Sequence, residues 1–211
     1  MAGPTIDFWQ ARFETQQTGW DRGAPHPQLL NWLQGQSGPA LAPGARVAVP
    51  GCGRGWEVVA LAHAGFDVTG LDYTPAAVAE AQAKLQAAGI VASQARIEQA
   101  DVLLHQPAQP YDAVHEQTCL CALHPDHWTA YAAQLHRWLR PGGTLHALFM
   151  QAPRAGALQE GRIEGPPYHC DINAMRALFP DTLWVWPQPP YAAERHPQVG
   201  MHELVVPLIR R

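Results

Sequence analysis

Three glycines at alternate positions, Gly51, Gly53 and Gly55, are the residues of this sequence whose spacing most directly suggests chemistry. They lie in "VAVPGCGRGWEVVALAHAGFDVTGLD", between an apolar run and a helix-like stretch, and a second apolar run ends at Asp72. A ligand can approach a glycine turn closely because no Cβ intervenes, and the helix that follows offers free N–H groups. Asp72 lies where an acidic residue accepts hydrogen bonds from ribose hydroxyls. The pattern predicts a nucleoside site.

The residue after the turn separates two kinds of nucleoside ligand. A dinucleotide fingerprint has its third glycine three positions after the second, and Trp56 occupies that position here. An indole there obstructs a pyrophosphate, so adenosine without phosphates is expected, which indicates S-adenosylmethionine and its product S-adenosylhomocysteine. Asp101, after the next predicted strand, is placed to accept a hydrogen bond from the adenine amino group. The alternative is that the glycines form only a tight turn and that Asp72 only caps a helix.

A parallel sheet covered by helices is needed to bring these residues together. Alternating signals predict helices over 6–17, 28–36, 56–64, 75–88, 127–139 and 172–179, with a loop over 152–168. Seven strands are predicted, over 46–49, 67–71, 95–100, 111–117, 144–151, 183–186 and 203–209. The last two strands have no helix between them, which favours a terminal antiparallel hairpin. The predicted fold class is α/β, a mostly parallel, doubly wound sheet that binds ligands at its carboxyl edge.

Length and composition favour one domain. The chain has 211 residues, of which 47% are hydrophobic and 15% charged, as in ordinary globular proteins. Within a single domain over 1–211, residues 1–44 are expected to form an N-terminal helical lid. Residues 45–211 are expected to form a Rossmann-like core.

The same composition argues against several classes of partner. A net charge of −4 and a pI near 6.2 do not favour nucleic acid or an anionic membrane surface. No apolar run is long enough for a membrane span, and the N-terminus has no signal-peptide pattern. Four cysteines without a CxxC pair predict a reduced, cytoplasmic protein, which we expect to be a monomer. No metal site is expected, because the residues around Cys119, His124 and His169 are interpreted as core or capping residues.

Six sequence blocks carry a resemblance to a known family. The blocks "FWQARFETQQTGWDRG", "VPGCGRGWEVVALAHAGFDVTGLD", "YDAVHEQTCLCAL", "LRPGG", "GPPYHCDINAMRALF" and "ERH" resemble the thiopurine S-methyltransferase family, in the same order and over nearly the whole chain. "EQTCLCAL" is similar to the thiol, halide and thiocyanate methyltransferases of that superfamily. The resemblance implies the class I S-adenosylmethionine-dependent methyltransferase fold. It also implies methyl transfer to a small soft nucleophile, a thiol first, with halide, thiocyanate or a selenium or tellurium species as alternatives.

The resemblance, together with the residue types, also assigns positions around the site. The expected cofactor-binding residues are Trp9, Phe13, Trp20, Gly51, Gly53, Asp72, Tyr73, Ala100, Asp101, Glu116 and Gln117. The expected acceptor-side residues are Trp20, Gln117, Pro166, Pro167, Tyr168 and Arg195. Thiopurine enzymes have an arginine where this chain has Gln117, so part of the cationic environment for an aromatic thiolate is missing. We therefore expect a small thiol or an inorganic soft anion to be preferred to a thiopurine.

The expected chemistry needs little acid–base machinery. Aromatic faces attract the sulfonium cation of S-adenosylmethionine, and an N-terminal lid excludes water from the transfer. No catalytic base is assigned, and Glu116 is expected to position the methionine part of the cofactor. Two other functions stay open from the residues alone. One is a nicotinamide-dependent oxidoreductase, which Trp56 argues against, and the other is a cofactor-binding interaction protein without catalysis.

Overall fold

One mixed sheet organises the chain. The computed structural model describes residues 3–198 and 200–211, apart from the side chains of residues 157 and 158. The sheet order is β3-β2-β1-β4-β5-β8-β6, and β7 pairs with β8. The strands are β1 (Arg46–Pro50), β2 (Asp67–Asp72), β3 (Ala95–Gln99), β4 (Tyr111–Gln117), β5 (Leu139–Gln151), β6 (Trp184–Val185), β7 (Ala193–Arg195) and β8 (His202–Arg210).

Helices connect the parallel strands. The pairs from β3 through β5 are parallel, and β8 pairs antiparallel with β5, β6 and β7. The helices are α1 (Ile6–Glu14), α2 (Pro27–Leu33), α3 (Trp56–His63), α4 (Pro75–Ala87), α5 (Cys119–Ala122), α6 (Trp128–Trp138), α7 (Ala155–Glu160) and α8 (Ile172–Leu178). A 3₁₀ turn over Pro125–His127 precedes α6.

Both faces of the sheet are covered. In β1, Val47 and Val49 pack into one cluster of buried side chains, whereas Ala48 packs into the other, as the period of two along a strand requires. The chain changes sides of the sheet between β1 and β4, so a crevice opens at the carboxyl ends of these two strands. The glycine turn follows β1 at this crevice.

The predicted fold class is confirmed, with differences in the second half of the chain. The prediction of seven strands is wrong by one, because the three-residue β7 pairs only with β8. The two terminal strands do pair antiparallel, but β8 lies between β5 and β6 and β7 intervenes in the chain. β5 begins at Leu139, before the Pro-Gly-Gly sequence that was expected to separate it from α6, because Leu139 is buried and pairs with Tyr111. α7 lies in the predicted loop over 152–168.

The predicted lid over residues 1–44 contains two different parts. Only α1 and the loop after it lie over the crevice, where α1 contacts α4. In α2, Leu29 and Trp32 are buried in the same cluster as Val47, so this helix belongs to the core. The expected boundary at residue 44 is therefore too late, because the apolar face of α2 has no other surface on which to be buried.

Membrane insertion has a simple structural test. Among the described helices, none combines the length and the apolar character that a membrane span requires. A cytoplasmic location and a monomeric state stay predictions.

Candidate active site

A cavity of about 170 Å³ lies at the carboxyl ends of β1, β2 and β4. Four segments form most of its wall: the N-terminal segment, the glycine turn, the ends of β2 and β3, and the start of α5. The lining residues are Trp9, Arg12, Phe13, Trp20, Gly51, Gly53, Asp72, Tyr73, Thr74, Ala100, Asp101, Val102, Thr118, Cys119, Cys121, Ala122, Leu123, Met150, Pro166, Pro167 and His196.

The glycine turn and Asp72 form the base of the cavity. The Asp72 carboxylate accepts hydrogen bonds from the backbone N–H of Gly53 at 3.1 Å and of Thr74 at 2.9 Å. Burial raises the pKa of this carboxyl group, while the two N–H donors lower it. Gly51 has φ +59°, and a Cβ there would lie 3.0 Å from the Cβ of Cys119. A side chain at Gly51 is therefore excluded by both conformation and space, which keeps the backbone open to the cavity.

A second carboxylate lies beside the first. Asp101 follows β3, is exposed, and accepts a hydrogen bond from the N–H of Leu103 at 2.8 Å. The N–H of Ala100 donates to the backbone carbonyl of Asp72 at 2.9 Å, which ties the ends of β2 and β3 together. Between them, burial raises the pKa of the half-buried Tyr73, so the phenol stays neutral. Two acidic groups at neighbouring strand ends can accept from ribose hydroxyls and from an adenine amino group.

Aromatic side chains close the cavity from the N-terminal side. Trp20 makes edge-to-face contacts with Trp9 and Phe13, with ring centroids 5.4 and 6.1 Å apart. Phe13 is buried, although it belongs to the first helix of the chain. These three rings and the two carboxylates fit a ligand that combines a nucleoside with a sulfonium cation, because ring faces attract cations.

Arg54, in the glycine turn, holds the N-terminal segment in place. Its guanidinium contacts Asp21 at 2.8 Å and Glu80 of α4 at 2.6 Å, and it also bonds Gln16. The indole N–H of Trp56 donates to the same Asp21 carboxylate at 3.1 Å. Trp56 therefore does more than occupy the space of a pyrophosphate. Its hydrogen bond to Asp21 also links the N-terminal segment to the glycine turn.

The structure brings together most of the residues expected to bind the cofactor. Nine of the eleven line the cavity, and the exceptions are Glu116 and Gln117. Glu116 is buried behind the wall, where its carboxylate accepts from the N–H of Leu120 at 2.7 Å, and burial raises its pKa to about 7. It therefore supports α5 from behind the cavity wall, and its expected role toward the methionine part of the cofactor stays a prediction. Gln117 lines a smaller adjoining pocket together with Arg22.

The acceptor-side expectations divide in the same way. Pro166, Pro167 and Trp20 line the cavity. Tyr168 is buried behind it, with its N–H donating to the carbonyl of Cys121 at 2.7 Å. Arg195 lies exposed on β7, and its backbone carbonyl accepts from Arg22. The expected cation therefore does not line the cavity, because the side chain of Arg195 faces solvent on β7.

Several wall residues were not expected from the sequence. Arg12 stacks on Phe8 at 4.2 Å, and Met150 comes from the end of β5. Cys121 was interpreted only as a core residue, yet it is both buried and part of the wall. His196 directly follows Arg195 in the block "ERH", and of the two residues the sequence predicted only Arg195 on the acceptor side. The register of β7 decides whether Arg195 or His196 faces the cavity. A strand of three residues has no sequence pattern from which that register could be predicted.

Across residues 3–198 and 200–211, no cluster of three or more His, Cys, Asp or Glu side chains has the geometry to hold a metal ion. The thiols near the cavity are all free cysteines, and burial raises their pKa values well above the ordinary value.

Known proteins resemble this chain over most of its length. A family model described as thiopurine S-methyltransferase matches residues 5–187. A thiopurine S-methyltransferase of Xanthobacter autotrophicus is 34% identical, over 82% of this chain and 83% of its own. A probable thiol methyltransferase 2 of Arabidopsis thaliana is 29% identical, over 78% of this chain and 68% of its own. Thiocyanate methyltransferase 1 of the same plant is 28% identical, over 81% and 70%.

Solved structures share the fold. A 1,6-didemethyltoxoflavin-N1-methyltransferase of Burkholderia thailandensis, solved with S-adenosylhomocysteine, has a TM-score of 0.73 at 19% identity and covers 98% of this chain and 86% of its own. The match to an enzyme family sets aside both the nicotinamide-dependent oxidoreductase and the non-catalytic binding protein. The chain belongs to the thiopurine S-methyltransferase family and is an S-adenosylmethionine-dependent methyltransferase.

Proposed function

We propose that this enzyme methylates the sulfur of a small thiol, or a related soft anion such as thiocyanate. The observation that carries the proposal is the composition of the acceptor-side wall, which consists largely of Cys121, Met150, Pro166 and Pro167. Such a wall offers few partners to a strongly hydrated oxygen or nitrogen nucleophile, which would lose its hydration on entry. A soft sulfur anion is weakly hydrated in water, so it loses little hydration free energy when it enters the cavity. The names of the thiol and thiocyanate methyltransferase relatives support the same class of acceptor.

The residues of the cavity would divide the work of binding. Asp72 would accept from the ribose hydroxyls and Asp101 from the adenine amino group. Trp9, Phe13 and Trp20 would surround the charged sulfur and exclude water. When bound, S-adenosylmethionine supplies a methyl group that a sulfur anion takes by in-line displacement, which neutralises both charges and needs no proton transfer. Enclosure and orientation are then the main contributions of the protein to the rate.

The proton of a neutral thiol would have to leave before the transfer. The carboxyl group of Glu116, at the end of β4, is buried and already accepts from the N–H of Leu120. The raised pKa values of Cys119 and Cys121 make these thiols poor bases at neutral pH. We therefore infer that the acceptor binds as an anion, so thiols of low pKa should react best.

A panel of matched acceptors with a labelled methyl donor tests the proposal. Benzenethiol, phenol and aniline share one shape and differ in the nucleophilic atom, and we expect methylation of the thiol alone. Small thiols, thiocyanate and iodide should have higher kcat/KM than 6-mercaptopurine. Equal rates for benzenethiol and aniline would contradict the choice of sulfur. A clear preference for 6-mercaptopurine would contradict the choice of a small acceptor.

We also infer that one chain forms the complete site. The wall combines the N-terminal segment, the glycine turn, the ends of β2, β3 and β5 and the loop at Pro166, so segments of one chain lie around the cavity. A monomer would therefore be active, and light scattering at assay concentration should give the mass of one chain. Activity that falls on dilution together with a dimer mass would contradict this inference.

A further inference from the structure

Three His-Pro dipeptides, at His26, His124 and His196, share one local structure. In each of them the ring Nδ1 accepts a hydrogen bond from the backbone N–H two residues later, at 3.1, 3.3 and 3.1 Å respectively. A nitrogen that accepts a hydrogen bond carries no proton. The neutral rings of His26 and His196 therefore have their proton on Nε2, whereas Nδ1 of His124 also lies 3.3 Å from the carboxylate of Asp126.

The three rings differ in what their Nε2 meets. In His26, Nε2 donates to the buried carboxylate of Glu203 at 2.9 Å. His124 lies outside the cavity and contacts the ring of Tyr168. His196 is only 6% exposed, forms part of the cavity wall, and its buried Nε2 has no hydrogen-bond partner within the described part of the chain. A buried N–H donor without a partner is unusual, because it has lost its hydration without compensation.

Burial, more than the neighbouring charges, favours the neutral ring of His196. Burial is the largest cause and lowers the pKa of His196, Glu203 raises it, and Arg22 and His26 lower it by smaller amounts. The Glu203 carboxylate is itself met by Arg22 at 3.0 Å and by His26 at 2.9 Å. Both contacts are made to Oε2 of Glu203, and Oε1 has no hydrogen-bond partner among the described residues. An anion at His196 would therefore face a carboxylate that already has Arg22 as its counter-ion.

We propose that His196 is a specificity-determining residue, whose Nε2–H donates a hydrogen bond to the anionic atom of the acceptor. The inference rests on the proposed function, because it assumes an anionic acceptor on this side of the cavity. A hydrogen bond to a charged acceptor in an apolar surrounding is stronger than one between neutral groups. Nε2 already carries a proton and Nδ1 accepts from the N–H of Gln198, so the ring has no free nitrogen that could take a proton from a thiol. It therefore selects anions and does not generate them.

Binding of an unreacting pair of ligands tests the proposal without catalysis. Thiocyanate is titrated by calorimetry into the full chain saturated with S-adenosylhomocysteine. His196→Phe keeps the ring and removes the donor, while His196→Gln keeps an amide N–H near the position of Nε2. His124→Phe is the matched control, since it removes a ring with the same Nδ1 hydrogen bond from outside the cavity.

We expect His196→Phe to weaken thiocyanate binding roughly tenfold or more, with S-adenosylhomocysteine affinity unchanged. His196→Gln should retain part of the affinity and His124→Phe all of it. In the acceptor panel, His196→Phe should raise KM for thiocyanate with a smaller change in kcat.

Four results would overturn the proposal. These are wild-type affinity for thiocyanate in His196→Phe, an equal loss of S-adenosylhomocysteine binding, an equal loss in His124→Phe, and no thiocyanate binding by the wild-type complex. If His196→Phe does not fold, His196→Asn takes its place, because the asparagine amide is too short to reach the position of Nε2. Sulfur methylation by the wild type in the panel, alongside any of these results, would leave the proposed function standing and remove only this inference.

Discussion

Asp72 is the residue on which cofactor binding is expected to depend most. Its carboxylate is oriented by the N–H groups of Gly53 and Thr74 and lies at the base of the cavity. Asp72→Ala removes the expected acceptor for two ribose hydroxyls, so S-adenosylhomocysteine affinity should fall roughly ten- to a hundredfold, as measured by calorimetry. NAD should show no measurable binding to the wild type.

A matched control for this experiment lies at the opposite edge of the sheet. The carboxylate of Asp112 also accepts a backbone hydrogen bond, from Arg46 at 2.8 Å, but at the amino end of β4. Asp112→Asn should leave S-adenosylhomocysteine affinity unchanged. Equal losses in the two variants would indicate a general effect on folding and would contradict the role of Asp72.

Glu116 makes stability depend on pH. Burial raises its folded pKa from 4.5 to about 7, so between these values the folded chain holds a proton that the unfolded chain has lost. This contribution to stability is fully present below the unfolded pKa and is lost as pH rises through about 7. Glu116→Gln does not titrate. Between about pH 5 and about pH 8, the free energy of unfolding of the wild type should fall by about 2.5 kcal/mol relative to this variant in urea titrations. If the free energies of unfolding of the wild type and Glu116→Gln changed in parallel with pH, the raised pKa of Glu116 would be contradicted.

At the scale of elements, the contacts of Arg54 predict how the lid opens. Arg54 joins Asp21 and Gln16 of the N-terminal segment to Glu80 of α4. Arg54→Gln should increase amide hydrogen exchange in residues 6–21 several-fold without cofactor. Adding S-adenosylhomocysteine to the wild type should slow exchange in the same residues, because the aromatic rings then pack on a ligand.

Arg96 provides the control for the lid experiment. It also contacts two carboxylates, Asp67 at 2.9 Å and Glu98 at 3.2 Å, but it lies on β3 and away from the lid. Arg96→Gln should leave exchange in residues 6–21 unchanged. If the cofactor left exchange over residues 6–21 unaltered in the wild type, α1 would be a fixed part of the core.

Helices and strands with a clear sequence pattern or clear end signals were predictable, whereas those that form only by contact with a distant segment were not. α4 begins at the predicted Pro75 and ends within one residue of the prediction, because the sequence has a proline start and a glycine stop. β7 has three residues and exists only because β8 offers it a free edge, which no local pattern encodes. α5 follows the same logic, since its four residues are held by the buried Glu116.

At the level of the whole molecule, the cofactor side of the site was predictable and the acceptor side was not. The glycine turn and Asp72 were predictable because both are fixed by the ends of neighbouring parallel strands. The acceptor side depends on how β7 and β8 return to the sheet, and that path decides between Arg195 and His196. The assignment of α2 to a lid failed for a related reason, because its burial depends on the sheet beneath it.

A buried stack of aromatic rings joins α2 to the middle of the sheet. Trp32 stacks on His146 with ring centroids 4.6 Å apart, and His146 Nδ1 lies 3.1 Å from His115 Nδ1. Burial lowers the pKa of His146 to about 3 and also lowers that of His115. Below about pH 6.5 the unfolded chain therefore takes up protons that the folded chain does not, and stability is lost as pH falls.

Replacing both rings tests this source of acid sensitivity. In a variant with both His115→Phe and His146→Phe, the free energy of unfolding should fall less steeply between about pH 6 and about pH 4, by up to about 1.4 kcal/mol per pH unit for each ring. Urea titrations across this range give the slopes. The same slope in wild type and variant would mean that the stack does not control the acid response.

The position of β8 in the sheet has a consequence for biosynthesis. β8 pairs with β5 from Thr144 and Ile209 to Gln151 and His202, so the two strands are made about fifty residues apart. While translation passes from β5 to β8, β5 has an unpaired edge, and five of its eight side chains from residue 144 onward are apolar. Such an edge can pair with other nascent chains. The ribosome therefore releases the parallel half of this enzyme into the crowded cell before the strand that protects it has been translated, and we expect chaperones to bind the chain in that interval.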